Sequence, residues 1–242
     1  MNNHEAPIAD ELSMKIGYVQ KTSFIDYPGK ISAVIFTQGC NFRCPYCHNP
    51  ELVDAERYCD SIPMDEVYSF LEKRSGKLDG VVITGGEPTL QPGIMSLMRR
   101  VKSMGYLVKL DTNGSRPKII QDALDQDLLD YVAMDIKAPW DKYSLVVGSL
   151  VNITHIKKSI TLIMNSGIAN EFRTTLVGSL LDPKDVLNIA RVIHGARLYV
   201  LQKFVSSKHV DSSYARKSAF TDEQMNKLVP QLDQYVSKCI TR

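Results

Sequence analysis

The sequence has no excess of charge of either sign and no long hydrophobic run. Its 242 residues carry 29 Lys and Arg against 27 Asp and Glu, which gives a formal net charge of +2. Such a balance produces no strong field toward nucleic acid or an anionic membrane, and no basic cluster occurs. No apolar run approaches the roughly 20 residues that a membrane-spanning helix needs. We therefore expect neither nucleic acid nor a membrane as a partner.

The basic and apolar stretches of a secretory signal are lacking in residues 1–14. That segment is polar, so we expect a disordered extension followed by one domain of residues 15–242. We expect a cytoplasmic protein. A reducing compartment disfavours structural disulfides and favours metal or redox roles for clustered cysteines.

Cysteine is scarce, but three of the five cysteines fall within eight positions: Cys40, Cys44 and Cys47. They lie in Gln38–Pro50, QGCNFRCPYCHNP, where His48 follows directly. Three thiols cannot all pair, and Cys59 and Cys239, which show no disulfide spacing, are expected to be bystanders. The run C-x-x-C-H also matches a haem-attachment pattern, which usually belongs to exported proteins.

Zinc and an iron–sulfur cluster remain as alternatives for these thiols. Structural zinc takes four ligands, usually in two separated pairs, and His48 would have to bend back sharply to be the fourth. Three thiolates suit a 4Fe–4S cluster with one iron left open, whereas electron-transfer ferredoxins use four cysteines. We favour the cluster, with Cys40, Cys44 and Cys47 as its metal ligands. His48 and Asn49 are expected to shape the loop through hydrogen bonds, and the other histidines show no ligand spacing.

Short apolar runs alternate with helix-period segments six times. This alternation predicts an α/β fold with a parallel sheet, either doubly wound or a partial barrel, with ligands at the C-terminal ends of the strands. The predicted strands are Ile31–Thr37, Gly80–Thr84, Tyr106–Asp111, Tyr131–Ile136, Glu171–Val177 and Arg197–Phe204. The predicted helices are Met64–Lys73, Ile94–Ser103, Pro117–Asp125, Ile153–Asn165, one from Pro183 to Ile193, and one opened by Thr221 with Gln224 at capping-box spacing.

Unusual residues follow the predicted strands. Strand two ends in Gly85-Gly86-Glu87-Pro88, strand three in Asp111-Thr112-Asn113-Gly114, and strand four in Asp135-Ile136-Lys137, while Arg173 lies within strand five. Each pattern also has an ordinary explanation: a helix-start acid, an Asn-Gly turn, a solvated strand end and a structural ion pair. A parallel sheet would nevertheless bring them to one rim.

The motif C-x-x-x-C-x-aromatic-C, with Tyr46 before the last cysteine, resembles the signature of the radical S-adenosylmethionine (radical SAM) enzymes. The resemblance implies a partial (β/α)6 barrel of the TIM-like type. It implies that S-adenosylmethionine chelates the open iron and that Tyr46 packs near the adenine. Gly85, Gly86 and Glu87 resemble the family's GGEP motif, which receives the methionyl ammonium.

The DTNG and D-x-K segments resemble those of the glycyl-radical enzyme activases. The resemblance implies that Asp111, Asn113 of the same motif and the catalytic Lys137 contact S-adenosylmethionine. It also allows Asp135 to help Asp111 hold a monovalent cation. Arg173 is expected to bind a carboxylate in the same shell.

From Lys15 to about Phe204 the chain resembles the activating proteins of anaerobic ribonucleoside-triphosphate reductase. The resemblance implies that a flavodoxin or ferredoxin reduces the cluster, S-adenosylmethionine is cleaved, and the resulting radical takes a hydrogen from a glycine of the partner enzyme. Trp140–Leu150 and the region after Phe204 are candidates for lining the entrance for that glycine loop, and Trp140→Ala is expected to weaken partner activation alone.

Three alternatives remain open at this point. The chain could activate another glycyl-radical enzyme, such as pyruvate formate-lyase. It could act on a small molecule, as 7-carboxy-7-deazaguanine synthase does. It could also be a non-enzymatic iron–sulfur electron-transfer protein.

Overall fold

The computed structural model of the chain describes residues 13–205 and 219–242. The chain divides into two compact units by its internal contacts. The first unit consists of Met1–Cys40, Glu51–Asp111 and Lys118–Tyr131, and the second of Asn41–Pro50, Thr112–Pro117 and Val132–Arg242. Residues 1–12 of the expected extension lie outside the described residues. Met14 is described and is buried.

The first unit contains a four-stranded part of the sheet and its covering helices. Strand β1 runs antiparallel to β2, and β2, β3 and β4 run parallel to one another. Thr37 at the end of β2 pairs with Gly85 at the end of β3, so the segments that follow these strands leave the sheet at the same edge. The strands are β1 (Ile16–Ser23), β2 (Ser32–Thr37), β3 (Gly80–Gly85) and β4 (Leu107–Thr112), and the helices are α1 (Met64–Lys73), α2 (Ile94–Ser103) and α3 (Pro117–Asp125).

The predicted strand Ile31–Thr37 is confirmed as β2, but it is not the first strand, because β1 precedes it. The sequence IGYVQKTS lacks the clean alternation that identifies a half-buried strand, and its pairing with β2 is interrupted by two register shifts. Tyr18, a large hydrophobic residue of β1, is 58% exposed. The formation of such an irregular strand depends on pairing with its neighbour and not on the hydrophobic pattern of its own sequence.

The second unit repeats the alternation of strand and helix. Strands β6, β7 and β8 run parallel, and the backbone N–H of Ile136, directly after β5, donates to the carbonyl of Arg173 in β6 at 2.8 Å. The strands are β5 (Tyr131–Asp135), β6 (Ala169–Leu176), β7 (Tyr199–Lys203) and β8 (Cys239–Thr241), and the helices are α4 (Tyr143–Val147), α5 (Ile153–Asn165), α6 (Pro183–Val192) and α7 (Asp222–Leu232). The short β8 and α4 were not predicted.

The two predicted helix starts that carry a capping signal, at α6 and α7, are confirmed by their caps. Asp182 and Asp185 form a reciprocal capping box at α6, with Pro183 at the first turn. Thr221 and Gln224 do the same at α7. The predicted α/β class is confirmed as well, since strands and helices alternate and parallel strands neighbour each other in both units. Within residues 13–205 and 219–242, no helix combines the length and apolar character needed to cross a membrane.

Candidate active site

In the first unit, the segment that leads from β2 to Cys40 is held by backbone contacts. The N–H of Gly39 donates to the carbonyl of Leu52 at 2.7 Å, and the N–H of Glu87 donates to the carbonyl of Gly39 at 2.7 Å. The side-chain amide of Gln91 donates to the carbonyl of Gln38 at 2.6 Å. These bonds fix the backbone immediately before the first cysteine of the motif.

Gly85 and Gly86 are required by the close approach of this backbone. A Cβ on Gly86 would lie 2.1 Å from the carbonyl oxygen of Gly39, and a Cβ on Gly85 would lie 2.4 Å from the nitrogen of Thr37. Gly85 also has a φ of 114°, which favours glycine. The two glycines predicted to bind cofactor thus let the turn after β3 pack against the turn after β2.

Glu87 is completely buried and caps a short 3₁₀ helix, Pro88–Leu90. Its Oε1 accepts from the backbone N–H and from the hydroxyl of Thr89, at 3.1 and 2.5 Å. Glu87 is therefore a helix-start acid, which is the ordinary role considered for this position. A buried carboxylate fixed in this way is also able to accept from a ligand ammonium.

Asp111, at the end of β4, has a neighbour that the sequence reasoning missed. The Nζ of Lys109 lies 2.5 Å from Oδ1 of Asp111, and the hydroxyl of Thr84 donates to Oδ2 at 3.3 Å. The Lys109 side chain is only 2% exposed. The sequence did contain a signal for this pair, since a charged residue lies two positions before Asp111 in an otherwise apolar strand. Residues two apart in a strand share a face.

In the second unit, the cysteine segment Asn41–Pro50 is anchored at its start. Oδ1 of Asn41 accepts from the side-chain amide of Asn113 at 3.0 Å, which places the predicted cofactor-binding Asn113 next to the cysteine segment. The ring of Phe42 packs edge-on against Tyr143, with centroids 6.4 Å apart. The N–H of Arg43 donates to the carbonyl of Val147, the last residue of α4, at 2.8 Å.

Asp135, Lys137 and Arg173 form one ionic group in the second unit. The Nζ of Lys137 lies 2.9 Å from Oδ2 of Asp135, and Nε of Arg173 lies 2.8 Å from Oδ1. Burial alone would raise the pKa of Asp135, but the two cations hold it well below its usual range. Burial acts to lower the pKa of Lys137, and the Asp135 carboxylate outweighs it and holds that pKa well above its usual range. Arg173 therefore pairs with the carboxylate of Asp135, which is the structural ion pair considered as the alternative to binding a cofactor carboxylate.

Tyr46 and Cys44 lie beside this group. Tyr46 is 4% exposed, and burial raises its pKa well above the usual value, with the Cys44 thiol adding to the effect. Burial also raises the pKa of Cys44, against the neighbouring Lys137 ammonium, which lowers it. Binding of a metal at the Cys44 sulfur would require loss of the thiol proton.

The segment Trp140–Leu150 has a buried and an exposed side. Trp140 stacks on Tyr143, with ring centroids 5.8 Å apart, and Lys157 lies over the Trp140 ring. Leu145 and Leu150 are 76% and 98% exposed. Among the large apolar residues of this segment, Leu145 and Leu150 are therefore the ones available to a partner without displacing a packed ring.

His48 holds the end of the cysteine segment. Its Nε2 lies 3.0 Å from the carbonyl oxygen of Val205, and its ring packs against Phe204. This contact matches the loop-shaping role predicted for His48. The rest of the predicted lining after Phe204 lies largely in residues 206–218, outside the described residues.

The remaining cysteines have ordinary protein contacts. The thiol of Cys59 donates to the carbonyl of Gly17 at 3.3 Å, and Cys239 is buried in β8, where burial raises its pKa to about 12. His155 and His194 are exposed, while His4 and His209 lie outside the described residues.

The donor chemistry of the motif fits an iron–sulfur cluster. All five cysteines are described and none is in a disulfide, and Cys40, Cys44 and Cys47 are each partly exposed. Thiolates are the usual protein ligands of such clusters. As their side chains stand, the described residues contain no group of three Cys, His, Asp or Glu suited to hold a lone metal ion. The thiols thus fit the cluster by their chemistry and accessibility.

Comparisons with known proteins identify related sequences over most of the chain. A family model of the radical SAM superfamily matches residues 34–197. A presumed glycyl-radical enzyme activating enzyme of Methanocaldococcus jannaschii is 33% identical over 225 residues, which cover 91% of this chain and 92% of the relative. Pyruvate formate-lyase-activating enzyme of Clostridium pasteurianum is 28% identical over 76% of this chain and 77% of the relative. A 7-carboxy-7-deazaguanine synthase of Thermococcus kodakarensis is 29% identical over 59% of this chain and 64% of the relative.

Solved structures share the architecture. Streptococcus suis SuiB bound to S-adenosylmethionine superimposes with a TM-score of 0.66 at 14% identity, over 86% of this chain and 49% of that one. The structure of TYW1 with a lysine-pyruvate adduct superimposes with a TM-score of 0.60 at 16% identity, over 85% of this chain and 74% of that one. The predicted partial-barrel fold class is confirmed by this likeness.

Proposed function

Because the chain belongs to the radical SAM superfamily and to its glycyl-radical enzyme activases, we propose that it activates anaerobic ribonucleoside-triphosphate reductase. The similarity to the M. jannaschii protein carries the activase assignment, since it extends over nine-tenths of both chains. The resemblance of Lys15–Val53 to the reductase activases supports this particular partner. Flavodoxin or ferredoxin as electron donor and a cytoplasmic location belong to the same proposal.

In this proposal Cys40, Cys44 and Cys47 hold a 4Fe–4S cluster with one open iron. When bound, the cluster supplies the electron that cleaves S-adenosylmethionine, and the radical formed takes a hydrogen atom from a glycine of the partner. The chain itself binds and orients the cofactor and excludes water. The family match includes most of both compact units, which supports one catalytic domain from residue 15 onward.

The residues proposed to surround S-adenosylmethionine differ in the charge that they present to it. Glu87 is a buried carboxylate able to accept from the ammonium of the methionyl group. Lys137, held protonated by Asp135, is a donor for a carboxylate or ribose oxygen. Tyr46 offers a buried aromatic face for the adenine. A monovalent cation beside Asp111 has the least support, because Asp111 and Asp135 each have a lysine as partner.

Anaerobic reconstitution with iron and sulfide tests the proposal. The loaded protein, given a reductant and S-adenosylmethionine, is expected to form 5′-deoxyadenosine, and to form a glycyl radical on the reductase by electron paramagnetic resonance. Cys44→Ala should abolish both signals, and a reductase whose radical glycine is replaced by alanine should show no radical. A radical on pyruvate formate-lyase alone would replace the partner, and absence of 5′-deoxyadenosine would overturn the proposal.

A further inference from the structure

Lys109 is a buried lysine in the middle of strand β4, and the sequence motifs give it no role. Its side chain is 2% exposed, and its Nζ lies 2.5 Å from Oδ1 of Asp111 and 5.7 Å from the centroid of the Tyr131 ring. Burying an ammonium is costly unless it is paired and hydrogen-bonded. In the sequence of β4, Lys109 stands between the apolar residues Val108 and Leu110, so its charge needs an explanation beyond the filling of space.

The contacts of Lys109 determine how Asp111 is oriented. Lys109 binds one carboxylate oxygen, and the hydroxyl of Thr84 on the neighbouring strand β3 donates to the other. Both donors lie on strands of the sheet: Lys109 is buried within β4, where packing restricts its rotamers, and Thr84 is half-buried near the end of β3. The carboxylate of Asp111 is thereby held at the C-terminal end of β4, the edge where ligands of α/β folds bind.

We propose that Lys109 is a built-in cation that positions Asp111 and makes S-adenosylmethionine binding independent of monovalent metal ions. An ammonium carries the same unit charge as K⁺ and makes contacts of similar length to carboxylate oxygens. At Asp135 the corresponding charges come from Lys137 and Arg173. Both carboxylates that were expected to share a metal cation therefore have protein cations instead. This inference rests on the proposed function, because it concerns the same cofactor site.

The first test measures the affinity of the reconstituted wild-type protein for S-adenosylmethionine by equilibrium dialysis. The measurement is made in KCl, NaCl and choline chloride at equal ionic strength, because choline is too large to replace a bound metal ion. We expect the three dissociation constants to agree within about twofold, the scatter of a weak screening effect. A dissociation constant that rises about tenfold or more in choline would overturn the inference.

The second test uses Lys109→Met, which keeps the length of the side chain and removes the charge. In choline its dissociation constant for S-adenosylmethionine should rise about tenfold, the loss expected for one charge-assisted contact, and K⁺ or ammonium ions should restore part of it. The protein without cluster gives an independent readout: KCl in place of choline should raise the unfolding temperature of Lys109→Met and not that of the wild type.

A purely structural lysine would give a different result. In that case a folded Lys109→Met would bind S-adenosylmethionine like the wild type in every salt, which overturns the inference. If the variant does not fold, the dissociation constants of the wild type in KCl, NaCl and choline chloride are sufficient to test the inference. Failure of the wild type to bind S-adenosylmethionine in any salt would overturn the proposed function together with the inference, whereas binding that requires K⁺ overturns the inference only.

Discussion

At the scale of single residues, the cysteine segment is held by contacts that no sequence motif predicts. Asn113 was predicted to bind cofactor, and its side-chain amide donates to Asn41, directly after Cys40. Gly148, which ends α4, has a φ of 62° and lies against the backbone of Arg43. Positions far apart in the chain thus fix the loop that carries the predicted metal ligands Cys44 and Cys47.

Gly148→Ala is expected to lower the iron content of the reconstituted protein. A Cβ at this position would lie 2.5 Å from the carbonyl oxygen of Arg43, so the residues between Cys40 and Cys44 would have to move. The left-handed φ adds a cost of about 1–2 kcal/mol for a side chain. Iron and sulfide per chain and the unfolding temperature are the two measurements, and both should fall.

Gly167→Ala is the matched control, because Gly167 has a φ of 77° and no atom lies within 4 Å of the point that its Cβ would occupy. It shares the backbone cost but not the contact with Arg43. Its unfolding temperature should fall while its iron content stays at the wild-type level. Equal iron loss in the two variants would show that the contact with Arg43 is unimportant.

At the scale of elements, the sequence predicted the helices whose apolar positions recur with helical period, and capping signals also marked the starts of α6 and α7. The helix Met64–Lys73 has the predicted bounds, and Pro183–Val192 differs by one residue. Strands β1 and β8 were not predicted. The first is irregular and half exposed, and the second, Cys239–Thr241, is too short to show a period. Such strands depend on pairing with a neighbour, which a local pattern does not contain.

Arg242, next to β8, is expected to contribute strongly to the stability of the second unit. Its guanidinium donates to both carboxylate oxygens of Glu171 in β6, each at 3.1 Å, and the Glu171 side chain is 1% exposed. Arg242→Ala would leave a buried carboxylate without this partner, which should cost about 2–3 kcal/mol. Urea unfolding at neutral pH measures the change in the free energy of unfolding.

Two further variants separate burial from charge in this prediction. Lys203→Ala breaks an exposed ion pair with Asp222, and it should change the unfolding free energy by less than about 1 kcal/mol. Glu171→Gln combined with Arg242→Ala should recover part of the loss, because no buried charge remains. An Arg242→Ala variant as stable as Lys203→Ala would contradict the prediction.

At the scale of the whole molecule, the sequence predicted which residues belong to a candidate site but not how they pair with their neighbours. Parallel strands carry their C-terminal ends to one edge, so GGEP, DTNG and D-x-K could be grouped from the order of elements alone. The sequence did not predict the partners of these residues. Side-chain packing determines that Asp111 pairs with Lys109, Asp135 with Arg173 and Asn113 with Asn41. Period and spacing specify which face a residue shares, and they do not specify its hydrogen-bond partner.

The partner enzyme is expected to contact the exposed side of Trp140–Leu150. Leu145 and Leu150 are largely exposed, whereas Trp140 packs on Tyr143, which in turn contacts Phe42 of the cysteine segment. Trp140→Ala would remove a packed ring together with any partner contact, so the two leucines give the cleaner test. Burying a leucine side chain at an interface contributes about 1.5–3 kcal/mol.

Replacing both Leu145 and Leu150 by Ser should raise the partner concentration needed for half-maximal glycyl-radical formation by about tenfold or more. Formation of 5′-deoxyadenosine without partner should stay at the wild-type rate, since both leucine side chains are largely exposed. Phe24 and Ile25, exposed to 73% and 84% in the first unit, provide the matched pair of Ser substitutions, which should leave both measurements unchanged. Equal effects of the two pairs would mean that general surface hydrophobicity, rather than the segment after β5, recruits the partner. Loss of 5′-deoxyadenosine in the leucine pair would instead assign those residues to the support of the cysteine segment.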